Sequence, residues 1–172
     1  MEYMLGVVVG ALVGILLVAA LLKWTKTDKS KKCRFDERQE LVRGRGFKYA
    51  FVIMIIYYGV YGMLDLLLEK MFIETMGAMF FGMLLGVGVH VCYCVWNEGY
   101  VALNENPKRL RMVFTILAVF NILRFILEAV HGEVIVNGIL QFVTINLACG
   151  IELIVIVIVM FAKEFSEHRE ND

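Results

Sequence analysis

Long apolar runs alternate with short polar segments along this chain, and the apolar runs determine the expected architecture. Five runs stand out, and none has the strict polar–apolar alternation of a barrel strand. They lie near Tyr3–Leu22, Phe47–Leu68, Met76–Trp96, Leu110–Val130 and Val136–Ala162. A helix needs roughly 20 apolar residues to cross the hydrocarbon core of a bilayer. The pattern therefore predicts an all-α polytopic membrane helical bundle of five transmembrane helices, with residues 1–172 forming one membrane domain.

Composition agrees with a membrane protein and gives little sign of an enzyme. Sixty per cent of the 172 residues are apolar and one is proline, which is unlike a soluble domain. The two serines, Ser30 and Ser166, lie outside the apolar runs, and the chain has no His-Glu-x-x-His motif. Asp65 is the one aspartate within a run, so an aspartyl pair is not expected. We expect no catalytic residue, no cofactor and no bound metal; a membrane enzyme of an unfamiliar kind is the least favoured alternative.

The basic residues predict the orientation. Fifteen of the 17 lysines and arginines fall in residues 23–48, 98–111 and the tail from Lys163, which would share one side of the membrane. The other two are Lys70, in the opposite short loop, and Arg124, inside the fourth run. Because cytoplasmic loops are enriched in Lys and Arg, this bias predicts an N-terminus outside and a C-terminus inside the cell.

The basic cytoplasmic segment, residues 23–46, is the first candidate for a functional surface. Asp36 is expected to cap a short helix that ends near Arg43, with a bend at Gly44 and Gly46 before the second span. Five basic side chains suit anionic lipid headgroups, and they are Arg34, Arg38, Arg43, Arg45 and Lys48. The alternatives are a simple orientation signal or a docking site for a cytoplasmic protein. Nucleic acid is not an expected partner, because acidic residues partly balance the segment and it lies at the bilayer.

One resemblance to known proteins comes from this segment. The residues Asp36-Glu37-Arg38-Gln39, then Arg43-Gly44, and then Phe47–Phe51 at a helix entrance carry it. This stretch, about a tenth of the chain, resembles a group of uncharacterised small multi-pass membrane proteins of Gram-positive bacteria with a DERQ-like juxtamembrane sequence. The resemblance implies a multi-pass protein of a bacterial cytoplasmic membrane, and it implies no activity.

Small residues recur every four positions in two of the predicted spans. The two rows, which resemble a glycine zipper, are Gly6, Gly10 and Gly14 in the first run and Ala78, Gly82 and Gly86 in the third. Small residues let membrane helices approach closely, and lipid supplies no hydrophobic drive to do so. Both rows are expected at the same depth, so the first and third helices are predicted to pack together. Self-association of the first helix, or no special role, are the alternatives.

Polar residues within the runs are the second set of candidates, because an unpaired charge there costs several kcal/mol. Asn121 shares one face of the fourth helix with Arg124 and Glu128. An outer group and an inner pair are expected: Asp65, Arg124, Glu128, Asn137 and Gln141, and then His90 with Glu152. Arg124 and Glu128 are predicted to pair within the fourth helix, with Asp65 as a second acceptor. The set forms either a polar pocket between the fourth and fifth helices or hydrogen bonds that join helices.

The cysteines offer no further chemistry. Cys92 and Cys94 point in different directions on one helix, Cys33 is cytoplasmic and Cys149 lies in a span, so no disulfide is expected. The chain is therefore interpreted as a non-enzymatic integral membrane accessory, sensor or immunity-type protein in contact with the lipid bilayer. The main alternative is a small oligomeric transporter or channel that uses the pocket between the fourth and fifth helices.

Overall fold

The structure, a computed structural model, describes residues 2–28, 33–68 and 72–170 and is almost entirely helical in them. Its elements in chain order are α1 Glu2–Thr25, α2 Glu37–Leu67, α3 Thr75–Trp96, α4 Pro107–Val130, β1 Ile135–Val136, β2 Ile139–Leu140, a 3-10 helix Phe142–Thr144 and α5 Ile145–Glu170. Four helices of the described chain are long and apolar enough to cross a membrane, and they correspond to α2, α3, α4 and α5. The expected all-helical class is confirmed, and four of the described helices have the length and composition of membrane spans.

Packing joins α2 to α3 and α4 to α5, with α3 also lying along α5 and α1 resting on α4. The main apolar core lies where α3, α4 and α5 meet, and consists of Val91, Val95, Leu110, Phe114, Ile156 and Met160. Elsewhere the apolar surface points outward: in the most apolar stretch of α2 only 6% of the residues are buried. Water does not favour so much exposed hydrocarbon, so this surface suits lipid or other helices.

α2 is one continuous helix of 31 residues, which corrects the predicted bend at Gly44 and Gly46. Asp36 is its N-cap, as predicted, and completes a capping box with Gln39. Gly46 has a different use: a Cβ there would lie 2.8 Å from Cys94 Sγ and 2.9 Å from His90 Nδ1. The glycine therefore lets α3 approach α2 closely, and the helix has no need to bend.

The fifth apolar run does not form one helix from residue 136. A two-stranded hairpin occupies its beginning, with Asn137 (φ 53°) and Gly138 (φ 78°) in the turn, and α5 begins only at Ile145. An Asn-Gly pair between β-branched residues is a strong hairpin signal because both turn residues need positive φ. The hairpin is held against the segment before α3, since Leu140 N–H donates to the Phe72 carbonyl and Glu74 N–H to the Leu140 carbonyl.

The small residues of α3 pack against α2, and not against α1 as predicted. A Cβ on Gly82 would lie 2.6 Å from Tyr57, and one on Gly86 would lie 2.5 Å from the sulfur of Met54. Gly14 in α1 has no such neighbour within 4 Å. The surroundings of Gly6 and Gly10 lie outside what the structure describes. Equal depth along the membrane normal permits two helices to pair, but it does not make them lateral neighbours.

Candidate functional site

The richest set of polar contacts between elements lies at the end of the bundle where α1 ends and α2 begins. We call it the basic-end cap and define it as residues 23–28, 33–39 and 97–106. Asn104 is near its centre and only 5% exposed. Its side-chain oxygen accepts the Arg34 N–H at 3.0 Å, its amide donates to Asp28 Oδ1 at 3.1 Å, and its backbone carbonyl accepts the Thr27 N–H at 2.9 Å. One side chain thus connects three segments.

Thr25 anchors the end of α1 in the same cap. It is fully buried, its hydroxyl donates to the Leu22 carbonyl at 2.7 Å, and its own carbonyl accepts the Asn106 N–H at 2.9 Å. Asn106 in turn caps α4, because its side-chain oxygen accepts backbone N–H groups of Lys108 and Arg109. The end of α1 is therefore fixed directly to the start of α4.

Gln39 and Glu98 tie α2 and α5 to the α3–α4 loop. The Gln39 amide donates to the carbonyls of Glu98 and Val101, at 3.1 and 3.0 Å. The Glu98 carboxylate lies 2.9 Å from Arg38 and 3.0 Å from Lys163. Hydrogen bonds from these two cations, Lys163 first, hold the pKa of Glu98 below its usual range. The Glu98 carboxylate thus joins a basic side chain of α2 to one of α5.

This arrangement predicts an acid-sensitive cap. A carboxyl whose pKa is lowered on folding adds stability above its unfolded pKa, and that contribution is lost as the pH falls through the folded value. The Glu98 side chain is 46% exposed, so the gain is limited by solvent to at most about 1 kcal/mol. Thermal unfolding at pH 7 and at pH 3 should show a larger loss for the wild type than for Glu98→Gln. An equal loss in the two proteins would rule out this role for Glu98.

A cavity of about 530 Å³ opens within the cap. Lys23, Lys26 and Arg43 line it together with one carboxylate, Glu105, so its charged groups are mostly basic, and the rest of its lining is largely apolar. Arg43 is held in place by stacking over the Phe35 ring, 3.8 Å from its centroid. Such a set of side chains has the charge to attract an anionic group such as a phosphate.

The predicted lipid-contact residues all lie in or beside this cap. Arg34, Arg38, Arg45 and Lys48 are exposed, whereas Arg43 is half-buried at the cavity. Cys33 is exposed in the same region, and its thiol points to the Glu105 carboxylate at 3.4 Å. Burial, followed by the nearby Glu105 charge, raises the pKa of the Cys33 thiol. The thiol is therefore less ionised than an ordinary cysteine.

The predicted outer polar pocket does not assemble as expected. Arg124 does form the predicted ion pair with Glu128 on its own helix, and the arginine is half-exposed. Asn121 uses its amide within α4 as well, donating to the Leu117 carbonyl at 2.8 Å. Asp65 is exposed near the end of α2, and α2 packs on α3, whereas α4 packs on α5. The second acceptor for Arg124 was therefore assigned to the wrong neighbouring helix.

Asn137 and Gln141 also lie outside the fifth helix, from which they were predicted to line the outer polar pocket. Asn137 is in the hairpin turn, and the Gln141 amide donates to the nearby Ile139 carbonyl at 3.0 Å. Both residues precede α5, so the helical spacing that would align them with Glu152 does not apply. A pocket between α4 and α5 thus loses these two polar groups.

The predicted inner pair is separated by α3. His90 faces α2, where its ring stacks on Phe47 with centroids 4.0 Å apart. Glu152 lies on the α5 side, with one carboxylate oxygen 3.1 Å from where a Cβ on Gly88 would be. Residues 88 and 90 are two apart on a helix and therefore point in different directions. The two ionisable groups do not meet.

Several residues that hold the helices together were not predicted from the sequence. Tyr57 and Tyr58 donate from α2 to the carbonyls of Ala78 and Met79 in α3, at 2.8 and 2.7 Å. The available signal was two consecutive tyrosines in an apolar run, because a buried tyrosine hydroxyl usually has a hydrogen-bond partner. Asn104 gave no local signal, because its partners lie about 70 residues away in the chain.

Within the described residues, no group of three or more His, Cys, Asp or Glu side chains is placed to hold a metal ion. The four cysteines are free thiols, with Cys33 exposed and Cys94 buried.

The chain matches no protein-family model, no curated protein and no solved structure.

Proposed function

We propose that this chain is a five-span integral protein of a bacterial cytoplasmic membrane, with its N-terminus outside and its C-terminus inside. The four long apolar helices support membrane insertion, and the 24 residues of α1 are enough for a fifth span. The orientation is supported by the clustering of basic residues at the end that carries the cap. The bacterial location rests on the resemblance of residues 36–51 to small membrane proteins of Gram-positive bacteria.

Cysteine labelling in intact cells tests the orientation. One variant keeps only Cys33, at the basic end, and a second has only Glu133→Cys, in the exposed turn after α4. An impermeant maleimide added outside should label the second variant at once and the first only after lysis. Denatured samples of both control for thiol reactivity. The reverse pattern would overturn the proposed orientation.

In this membrane the protein acts as a non-enzymatic accessory or sensor protein, and its working surface is the basic-end cap. The observation that carries this proposal is the cavity in which Lys23, Lys26 and Arg43 outnumber one carboxylate beside an apolar lining, set in a cap built from three segments. Anionic headgroups supply the complementary charge, and each nearby basic residue contributes about 1 kcal/mol of attraction. A cytoplasmic protein or a second copy of the chain then binds according to whether headgroups occupy the cap.

Hydrogen exchange in nanodiscs tests this role. Amides of residues 33–48 and 97–106 are expected to exchange more slowly in phosphatidylglycerol than in phosphatidylcholine, because bound headgroups order the cap. Salt should reduce this difference. A Lys23→Gln, Arg43→Gln variant should lose most of it, whereas Lys108→Gln, Arg169→Gln, with the same charge change outside the cavity, should retain it. Equal exchange of the wild type in both lipids would contradict the proposal.

A transporter or channel is the second candidate. It was predicted from a polar pocket between α4 and α5, but Asn121, Arg124 and Glu128 bond within α4. Among the described residues, the polar group within an apolar helix that favours a ligand site is Glu152, which lies between α3 and α5 and not between α4 and α5.

A further inference from the structure

An apolar groove of about 490 Å³ lies between α3 and α5. Phe81, Leu85 and Val89 of α3 and Ala148 and Val155 of α5 form its walls, which are almost wholly hydrocarbon. Leu85 and Val155 are exposed, so the groove opens sideways from the bundle, where the proposed membrane would be. A molecule dissolved in the bilayer could enter without crossing water.

Glu152 is the one charged side chain in this groove. Its Oε1 atom is buried and has no hydrogen-bond partner among the described residues. Gly88 faces it from α3, and a Cβ there would lie 3.1 Å from Oε1, so the glycine leaves room for the carboxylate. A carboxylate buried in hydrocarbon without a partner is costly, and this cost is the usual mark of a functional group in a span.

The chemistry of the walls selects the kind of partner. A metal ion such as Ca²⁺ would need several oxygen ligands, and a hydrated cation would need polar walls, but the groove offers one carboxylate and one thiol, that of Cys92, among hydrocarbon. We propose that the groove binds a lipophilic organic cation, such as a hydrocarbon-substituted ammonium or phosphonium. The positive centre lies against the Glu152 carboxylate, and the hydrocarbon substituents fill the apolar walls. The inference rests on membrane placement of α3 and α5, and it is independent of the accessory role of the cap.

Binding of tetraphenylphosphonium to the purified full chain in detergent tests the proposal. Equilibrium dialysis should show saturable binding to the wild type, and neutral triphenylphosphine oxide should not compete. Glu152→Gln keeps the shape and removes the charge, so its affinity should fall about tenfold or more. Asp65→Asn removes an exposed carboxylate from α2 and should bind as the wild type does. Ala148→Phe should weaken binding by filling the groove.

A second measurement needs no variant. Dicyclohexylcarbodiimide adds the O–H of a protonated carboxyl across its C=N bond, and an acyl shift to nitrogen then gives a stable acylurea with no leaving group. Peptide mass spectrometry should find this adduct at Glu152, and tetraphenylphosphonium should slow its formation.

Three results would overturn the proposal. The first is the absence of saturable binding to the wild type, and the second is equal affinity of Glu152→Gln and the wild type. The third is that Glu152→Gln fails to bind the cation and also loses an oligomeric state that the wild type has. This result would assign the groove to a helix of a second copy. The lipid-dependent hydrogen exchange of the cap does not depend on this groove, so failures of the two proposals are distinguishable.

Discussion

Replacing Asn104 with alanine is expected to open the basic-end cap while the apolar core of the bundle stays folded. The substitution removes the acceptor of the Arg34 N–H and the donor to Asp28 in one step. A buried polar group that loses its partner costs about 1–3 kcal/mol, so we expect a loss of about 2 kcal/mol in the local stability of the cap.

Hydrogen exchange measures this loss residue by residue. Four amides of the network report on it, those of Thr27, Arg34, Leu103 and Asn106. A loss of 2 kcal/mol corresponds to about thirtyfold faster exchange of these amides. Amides near Val113, in the buried part of α4, should exchange as in the wild type.

Asn97→Ala is the matched control. The Asn97 side chain makes a single bond to the Tyr93 carbonyl at the end of its own helix, at 2.8 Å. Its removal should leave the exchange of the four amides within about threefold of the wild type, because no second segment depends on it. If Asn97→Ala and Asn104→Ala had the same effect, Asn104 would have no special role in the cap.

Length and composition were sufficient to predict the helices, because a span must satisfy its backbone hydrogen bonds internally and be apolar over a fixed length. They were insufficient at residues 135–141. There the side chains are as apolar as in a span, but Asn137 and Gly138 favour a tight turn with positive φ at both residues. Mean hydropathy over a window of residues hides such a pair. The pair nevertheless decides the backbone conformation.

Lateral neighbours were harder to predict than helices. The rows of small residues on α1 and α3 begin at similar distances from one surface, but this depth says nothing about which helices lie side by side. The choice is made by side chains on the facing helix, and α2 offers Tyr57 and Tyr58 to the carbonyls of α3. The sequence contained both halves of this contact without a pattern that linked them.

The candidate sites also differ in whether the sequence could predict them. Arg124 and Glu128 are four residues apart, and the ion pair between them follows from helical geometry alone. The cap depends on contacts between residues 59 to 81 positions apart, so no local pattern could reveal it. The basic residues predicted for lipid contact came from charge alone, which identifies a surface but gives no cavity.

Gly82→Ala is expected to destabilise the pair formed by α2 and α3 more than any other glycine-to-alanine change in it. The new Cβ would lie 2.6 Å from Tyr57 Cδ1 and 2.7 Å from Tyr58 Cζ. Neither ring can move away freely, because each hydroxyl is bonded to a carbonyl of α3. Overpacking of this kind costs about 1–3 kcal/mol, and losing the tyrosine bonds adds roughly 0.6 kcal/mol each.

Gly59→Ala and Gly62→Ala in α2 are the controls, since nothing lies within 4 Å of a Cβ at either position. They should be neutral or stabilising by up to about 1 kcal/mol, because alanine favours the helix more than glycine does. Thermal or detergent-induced unfolding, followed by helical circular dichroism, compares the variants. Equal unfolding of Gly82→Ala and Gly62→Ala would contradict a close approach of α3 to α2 at this position.

Gly86→Ala tests whether the loss of stability depends on the distance to the neighbouring side chain or on how freely that side chain can move. A Cβ there would lie only 2.5 Å from Met54 Sδ, which is closer than any contact at Gly82. Methionine, however, has three rotatable bonds and no hydrogen bond to lose, so it can turn aside where a bonded tyrosine cannot. We therefore expect Gly86→Ala to cost less than Gly82→Ala, by about 1 kcal/mol or more. If the two ranked by distance alone, with Gly86→Ala the worse, the tyrosine hydroxyls would not be what fixes α2 against α3.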